Sequence, residues 1–324
     1  MKKLKFQIFA IFLFSILLFN GLTLGSTSGK NLIENDNFYF VHITDTHVMS
    51  KFFDHNEISK KRLREVLDLV CSYENKPAFI VATGDLVEWG GSKISGALNY
   101  LEFVSCFYKK DGQLYADADF SIPVYTTPGN HDYCLNRNLK NYHTYVDKNH
   151  IEDEDRYVVT YGDTSLFFMD SGPNYYSDIS ILFDWHGEGL CDCDIAWLED
   201  ELDNCQSANK IILMHHPAVG NEDDLFINNR EEFVDLCETY DVEVVLAGHT
   251  HHSRVYDHDL NEYSGLPLNC SQLPTLYVQT DDCKQGAYYR NVSIFSNNIW
   301  LEVCVEVTNS GFDINSNMPA IELF

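Results

Sequence analysis

Short apolar runs rich in β-branched and aromatic residues alternate with helical spacing along most of the chain. The runs 38–43, 78–83, 124–127, 157–161, 166–170, 211–214 and 242–247 read as strands. Between them, 58–73, 92–108, 194–204 and 230–240 carry helical periods. In the first, Leu63, Val66, Leu67 and Val70 recur at that spacing, and in the second Leu98, Leu101, Val104 and Cys106 fall on or near one face. From 254 onward only strands follow, at 254–256, 276–279, 287–295 and 299–307, the last two joined by a turn at 296–298. Repeated βα units with an antiparallel tail predict one α/β domain with layered sheets over 36–310. Its chemistry-bearing part is 38–255, its β-rich tail 256–310, and a C-terminal tail covers 311–324. No internal repeat and no low-complexity linker interrupts it.

The first 25 residues follow neither pattern. Lys2, Lys3 and Lys5 precede an uncharged stretch from Phe6 to Gly29, which reads as a targeting segment. It is expected to act either as a secretory signal cleaved near Gly25 or as a retained N-terminal membrane anchor, its apolar part approaching the roughly 20 residues a spanning helix needs. Both readings leave the rest of the chain secreted or extracytoplasmic.

Charge narrows the partners. With 22 Lys+Arg against 49 Asp+Glu the formal net charge is −27, which argues against holding a nucleic-acid polymer by neutralising phosphates. Hydrophobic residues at 45% supply a core, so the acid excess does not signal disorder. In an exported chain the 10 cysteines make disulfides plausible, with Cys191/Cys193/Cys205 and Cys270/Cys283 the first pairs to test.

Five strand ends carry oxygen and nitrogen ligands. Strand 38–43 runs into Asp45-Thr-His47, 78–83 into Gly84-Asp85-Leu-Val-Glu88, and 124–127 into Pro128-Gly-Asn130-His131-Asp132. The run 211–214 ends in His215-His216-Pro217, and 242–247 in Gly248-His249-Thr-His251-His252. The carboxyl ends of strands are where open α/β sheets build their sites. Mixed His, Asp and Asn donors without thiolate suit Zn, Mn or Fe rather than Ca alone. The donors exceed what one tetrahedral site uses, so two divalent ions are implied, a centre suited to phosphoryl chemistry.

These five blocks, in this order, resemble the calcineurin-like metallophosphoesterases. The resemblance implies a four-layer α/β/β/α sandwich of two mixed sheets in a single domain. It also implies one metal held by Asp45, His47, Asp85 and His251, and a second by Asp85, Asn130, His215 and His249, with Asp85 bridging. His131 would contact the phosphate and act as acid toward the leaving oxygen, Asp132 would orient its ring, and a metal-bridging hydroxide would attack. Departures narrow the class. Glu88-Trp89-Gly90 and Asp132 replace the residues typical of protein phosphatases of this fold, Glu88 stands near where purple acid phosphatases carry a tyrosine ligand, and the chain past His251 is too short for the extra domain of secreted nucleotidases.

Single histidines such as His42 are read as satisfied structural residues, His216 and His252 as second-layer or surface residues, and Glu88 as a solvated loop carboxylate. Trp89, and Tyr175, Tyr176 and Trp185 in the long loop 172–190, are the candidates for a substrate pocket. The expectation is an exported phosphoesterase acting on small phosphodiesters or phosphomonoesters. The alternative is a non-catalytic, metal-containing binding module for a phosphorylated ligand.

Overall fold

In the computed structural model, residues 37–107, 122–146, 156–174 and 186–307 are described. The targeting segment, the C-terminal tail and the pocket candidates Tyr175, Tyr176 and Trp185 lie outside them. Two six-stranded sheets carry the architecture. In spatial order the first is β11 (Leu268–Asn269), β14 (Asn298–Glu306), β13 (Tyr288–Phe295), β1 (Phe38–Ile43), β2 (Ile80–Thr83) and β3 (Val124–Thr127). The second is β10 (Arg254–Tyr256), β12 (Leu276–Gln279), β9 (Val244–Ala247), β7 (Asn209–Leu213), β5 (Thr164–Phe168) and β4 (Tyr157–Tyr161). Both are mixed: β1, β2 and β3 run parallel and so do β12, β9, β7 and β5, while the other pairings are antiparallel. A two-stranded ribbon joins β6 (Gly187–Gly189) to β8 (Phe226–Asn228).

Strand side chains alternate between faces, and here both faces are covered, so successive residues enter different cores. Phe40, Val81, Phe168, Leu213 and Leu246 fill the space between the sheets. Their neighbours Val41, Ile43, Ile80 and Ala82 point the other way, onto Leu63, Val66 and Val70 of α1 (Ile58–Ser72) and Tyr100 and Phe103 of α2 (Ser95–Ser105). Phe167, Ile212 and Val245 meet Leu198 and Leu202 of α4 (Asp192–Asn204) and Phe233 and Cys237 of α5 (Arg230–Thr239). Three cores between four layers make the α/β/β/α sandwich that the resemblance implied.

The helical periods and long strands appear close to where the sequence puts them. The additions are α3 (Lys140–Tyr145), β6, β8 and β11, each too short to show a period. Cys191 and Cys193 have their sulfurs at bonding distance, and the other cysteines are unpaired. The expected Cys270/Cys283 pair does not form, because Cys270 lies between the sheets and Cys283 lies in the core beneath α1 and α2. Among the described residues no helix is long and apolar enough to cross a membrane.

Candidate metal centre

Sheet order assembles the site. β1, β2 and β3 are neighbours, so the loops bearing Asp45, Asp85 and Asn130 leave one sheet side by side; β7 and β9 do the same for His215 and His249 in the other. Backbone bonds stitch the loops together: Asp45 N–H donates to Gly84 C=O (3.2 Å), His47 N–H to Asp85 C=O (2.8 Å) and Gly248 N–H to His215 C=O (3.0 Å). Two bonds cross between the sheets, from His249 N–H to Asp45 Oδ2 (2.8 Å) and from His215 Nδ1 to the carbonyl of Thr83 (2.9 Å). Asp45, His47, Asp85, His249 and His251 all sit at positive φ without being glycine. Such conformations cost about 1–3 kcal/mol each and persist only where the surroundings over-determine them, as these cross-loop bonds do.

The seven residues nominated as ligands converge. Asp45 is fully buried; its Oδ2 accepts from Thr44 Oγ1 and His249 N–H, while Oδ1 makes no well-aligned hydrogen bond. That oxygen is ringed by imidazole Nε2 atoms, at 3.2 Å from His251, 3.7 Å from His47 and 4.0 Å from His215. His47 Nε2 is likewise buried and orphaned, 3.3 Å from Asp85 Oδ2. The other oxygen of Asp85 lies 3.4 Å from His215 Nε2, which in turn is 3.0 Å from Asn130 Oδ1. The His249 ring stands 5.2 Å from that of His215. Buried polar atoms are nearly always satisfied, so orphaned donors that face one another and are all metal-capable fit a divalent cation. The clusters Asp45/His47/His251 and Asp45/Asp85/His215 each place three such donor atoms within reach of one ion.

Electrostatics agree. Burial by itself would lower the His47 and His215 imidazoles, but the surrounding carboxylates, Asp85 foremost, reverse this and raise them to about 10 and about 9. Burial would raise Asp45 and Asp85, but the facing imidazoles, His215 first, hold both well below the usual carboxylate range. The site is thus a concentration of negative charge in which protons and a divalent cation compete for the same nitrogens.

Around this centre the structure reassigns several residues. Glu88 is not a solvated loop carboxylate: its Oε2 meets Nδ1 of His47 and lies 2.8 Å from Nδ1 of His131, and Lys284 Nζ is 3.6 Å from its other oxygen. His131 turns Nε2 toward the centre, 3.9 Å from Asp85 Oδ2, and is a quarter exposed. Asp132 does not reach that ring. Its fully buried carboxylate accepts from Tyr100 Oη (2.7 Å), Gly129 N–H (2.8 Å) and Leu86 N–H (3.3 Å), tying the loops after β2 and β3 together. Burial, followed by the charge of Asp85, raises it to about 6.

His216 is fully buried, with Nδ1 2.8 Å from Ser171 Oγ and its ring 4.4 Å from that of His249. His42 is a satisfied core residue between Thr280 Oγ1 and Thr83 Oγ1. Trp89 is half-buried and meets Phe53 edge-on at 5.4 Å. Sequence reasoning passed over Asp282, whose Oδ2 lies 3.5 Å from Nδ1 of His251. The signal was present, since Asp282 follows the end of β12, a sixth parallel strand end beside β9.

The calcineurin-like phosphoesterase family model matches residues 38–253. A probable cyclic nucleotide phosphodiesterase from Rhodococcus erythropolis is 25% identical over 255 residues, 76% of this chain and 74% of that one. The glycerophosphodiester phosphodiesterase GpdQ of Enterobacter lignolyticus is 24% identical over 257 residues, 74% of this chain and 80% of the relative. Among solved structures, GAP50, the anchor in the inner membrane complex of Plasmodium, superposes with a TM-score of 0.54 at 13% identity, covering 84% of this chain and 85% of that one. The purple acid phosphatase PPD1 from yellow lupin gives 0.53 at 12% identity, covering 84% of this chain and 52% of that one. At such identities these structures speak for the fold alone. Family match, phosphodiesterase relatives and a centre shaped for cations agree, and the chain belongs to the calcineurin-like phosphoesterases, as a metal-dependent hydrolase of phosphate esters.

Proposed function

We propose that this enzyme hydrolyses small phosphodiesters, and phosphomonoesters less readily, at a two-ion centre on the outer side of a membrane. The observation that carries the two-ion reading is the position of Asp85, with one oxygen 3.3 Å from His47 Nε2 and the other 3.4 Å from His215 Nε2. Asp45, His47, Asp85 and His251 would hold one ion; Asp85, Asn130, His215 and His249 the other. The mixed O/N donor set suits Zn, Mn or Fe. When bound, two such ions supply a nucleophile from water at neutral pH and offset the charge of the phosphoryl oxygens.

The chain's own residues then do the following. The Nδ1 of His215 is fixed by the Thr83 carbonyl and that of His251 faces Asp282, which leaves both Nε2 atoms toward the centre. Glu88 Oε2 lies 2.8 Å from Nδ1 of His131 without a well-aligned hydrogen bond, and its negative charge holds that side of the ring, so that Nε2 can donate its proton to the leaving oxygen. Lys284, beside Glu88, adds positive charge next to that acid. Preference for diesters follows the names of the two relatives, and placement outside the cytoplasm follows the basic and apolar N-terminal segment.

Metal-reconstituted protein should turn over bis-p-nitrophenyl phosphate faster than p-nitrophenyl phosphate with Mn²⁺ or Zn²⁺. No turnover of either between about pH 5 and pH 9 would overturn the proposal. Cell fractionation with N-terminal sequencing tests the location, and a cytoplasmic, full-length product would refute export.

A further inference from the structure

We infer that Cys191 and Cys193 form a redox-active pair that exchanges disulfides with external thiols, a site separate from the metal centre and independent of the phosphoesterase reading. The two cysteines are exposed and their sulfurs sit at bonding distance across Asp192, at the start of α4, where Cys191 is the N-cap. The other cysteines are buried or half-buried, and burial pushes up the thiols of Cys71, to about 11, and of Cys106 and Cys270, to about 12. Reactivity follows exposure and thiolate character, and the adjacent pair is the most exposed of the cysteines.

A structural staple would join distant segments. Linking residues two apart closes a minimal loop and constrains the unfolded chain little. The turn is held without that bond: Cys191 N–H donates to Asp194 Oδ2 (2.8 Å), Asn229 Nδ2 donates to the Leu190 carbonyl (3.0 Å) and to Asp192 Oδ1 (2.9 Å), and Arg156 pairs with Asp194. The bond can therefore open and close on a standing framework. Access is open as well. Cys191 lines two cavities of about 430 Å³ and about 550 Å³, and Cys193 lines the second.

In the exchange, a donor thiolate attacks one sulfur and the bond between the two cysteines breaks, leaving one cysteine in a mixed disulfide and the other as a thiolate that takes a proton. A second donor thiol displaces the first linkage. The cysteines gain two electrons and two protons, and the donor leaves as its disulfide. The Cys191 sulfur accepts from the Asp194 N–H at the start of α4, with the acidic Asp192 and Asp194 in the same turn.

The test equilibrates the full chain in glutathione buffers from reduced to oxidised, quenches with acid, alkylates without denaturant and maps the peptides by mass. The peptide holding both cysteines should carry two alkyl groups at the reduced end and none at the oxidised end, in one two-electron step, with the remaining cysteines alkylating only after denaturation. Cys193→Ser should trap glutathione on Cys191. A peptide that alkylates equally in every buffer, or stays closed under excess reductant, overturns the inference, as does a Cys193→Ser chain that takes up no glutathione.

Discussion

Glu88 Oε2 lies 2.8 Å from Nδ1 of His131 and also meets Nδ1 of His47, so one carboxylate joins the general-acid candidate to a ligand candidate. Asp132, adjacent to His131 in sequence, instead braces the loops from below through Tyr100, Gly129 and Leu86. The two acids should separate on mutation. Glu88→Gln should lower kcat by about 10–100-fold, more for poor leaving groups than for good ones, with metal content retained. Asp132→Asn should chiefly lower the melting temperature. An unchanged kcat in Glu88→Gln on a poor leaving group would remove Glu88 from this role.

Removing a metal donor should cost metal and activity together. Asp85→Ala, whose side chain faces both halves of the centre, should fall below one ion per chain by elemental analysis, whereas Asn130→Ala should retain one. Chelation of the parent should lower its melting temperature, since a ligand at 100 times its Kd stabilises the folded state by about 2.7 kcal/mol. That shift should be absent in Asp85→Ala; a shift of equal size would contradict the assignment.

Gly84 turns the chain at φ +76° directly against the imidazole of His215, and an added Cβ would collide with that ring. Gly84→Ala combines left-handed strain with displacement of a ligand candidate, at a cost of about 1–3 kcal/mol. Activity should be lost while circular dichroism retains the folded signature. Full activity in the alanine variant would show that His215 need not hold its position.

His42 sets a pH dependence away from the ligands. Burial, then the positive charge of Arg290, lowers its imidazole to about 3, so the folded state keeps it neutral while the unfolded chain protonates it near pH 6.5. Between those values the unfolded state binds more protons. Stability should therefore fall as pH drops from about 6.5 toward 3, by on the order of 5 kcal/mol from this group. His42→Gln should flatten the slope in urea unfolding across that range; parallel slopes in parent and variant would exclude His42 as the source.

The sequence by itself determined the longer strands and helices and the strand ends at which the candidate ligands stand. Period and residue type are local properties, and Asp45, Asp85, Asn130, His215 and His249 follow their strands directly. It did not determine which acid meets which imidazole. Glu88 lies 43 positions before His131 and Asp282 lies 31 after His251, and both meetings depend on neighbouring strands β1, β2 and β3, or β9 and β12, delivering their loops to one edge. Adjacency in sequence misled for Asp132, because the backbone after Gly129 turns its carboxylate inward, to Gly129 N–H and Tyr100 Oη. Cysteine pairing was equally hidden: proximity in sequence brought Cys191 to Cys193, while the first sheet separates Cys270 from Cys283. Local chemistry wrote the candidate ligands into the chain, and the order of strands, which decides what faces what across a buried centre, gave them their partners.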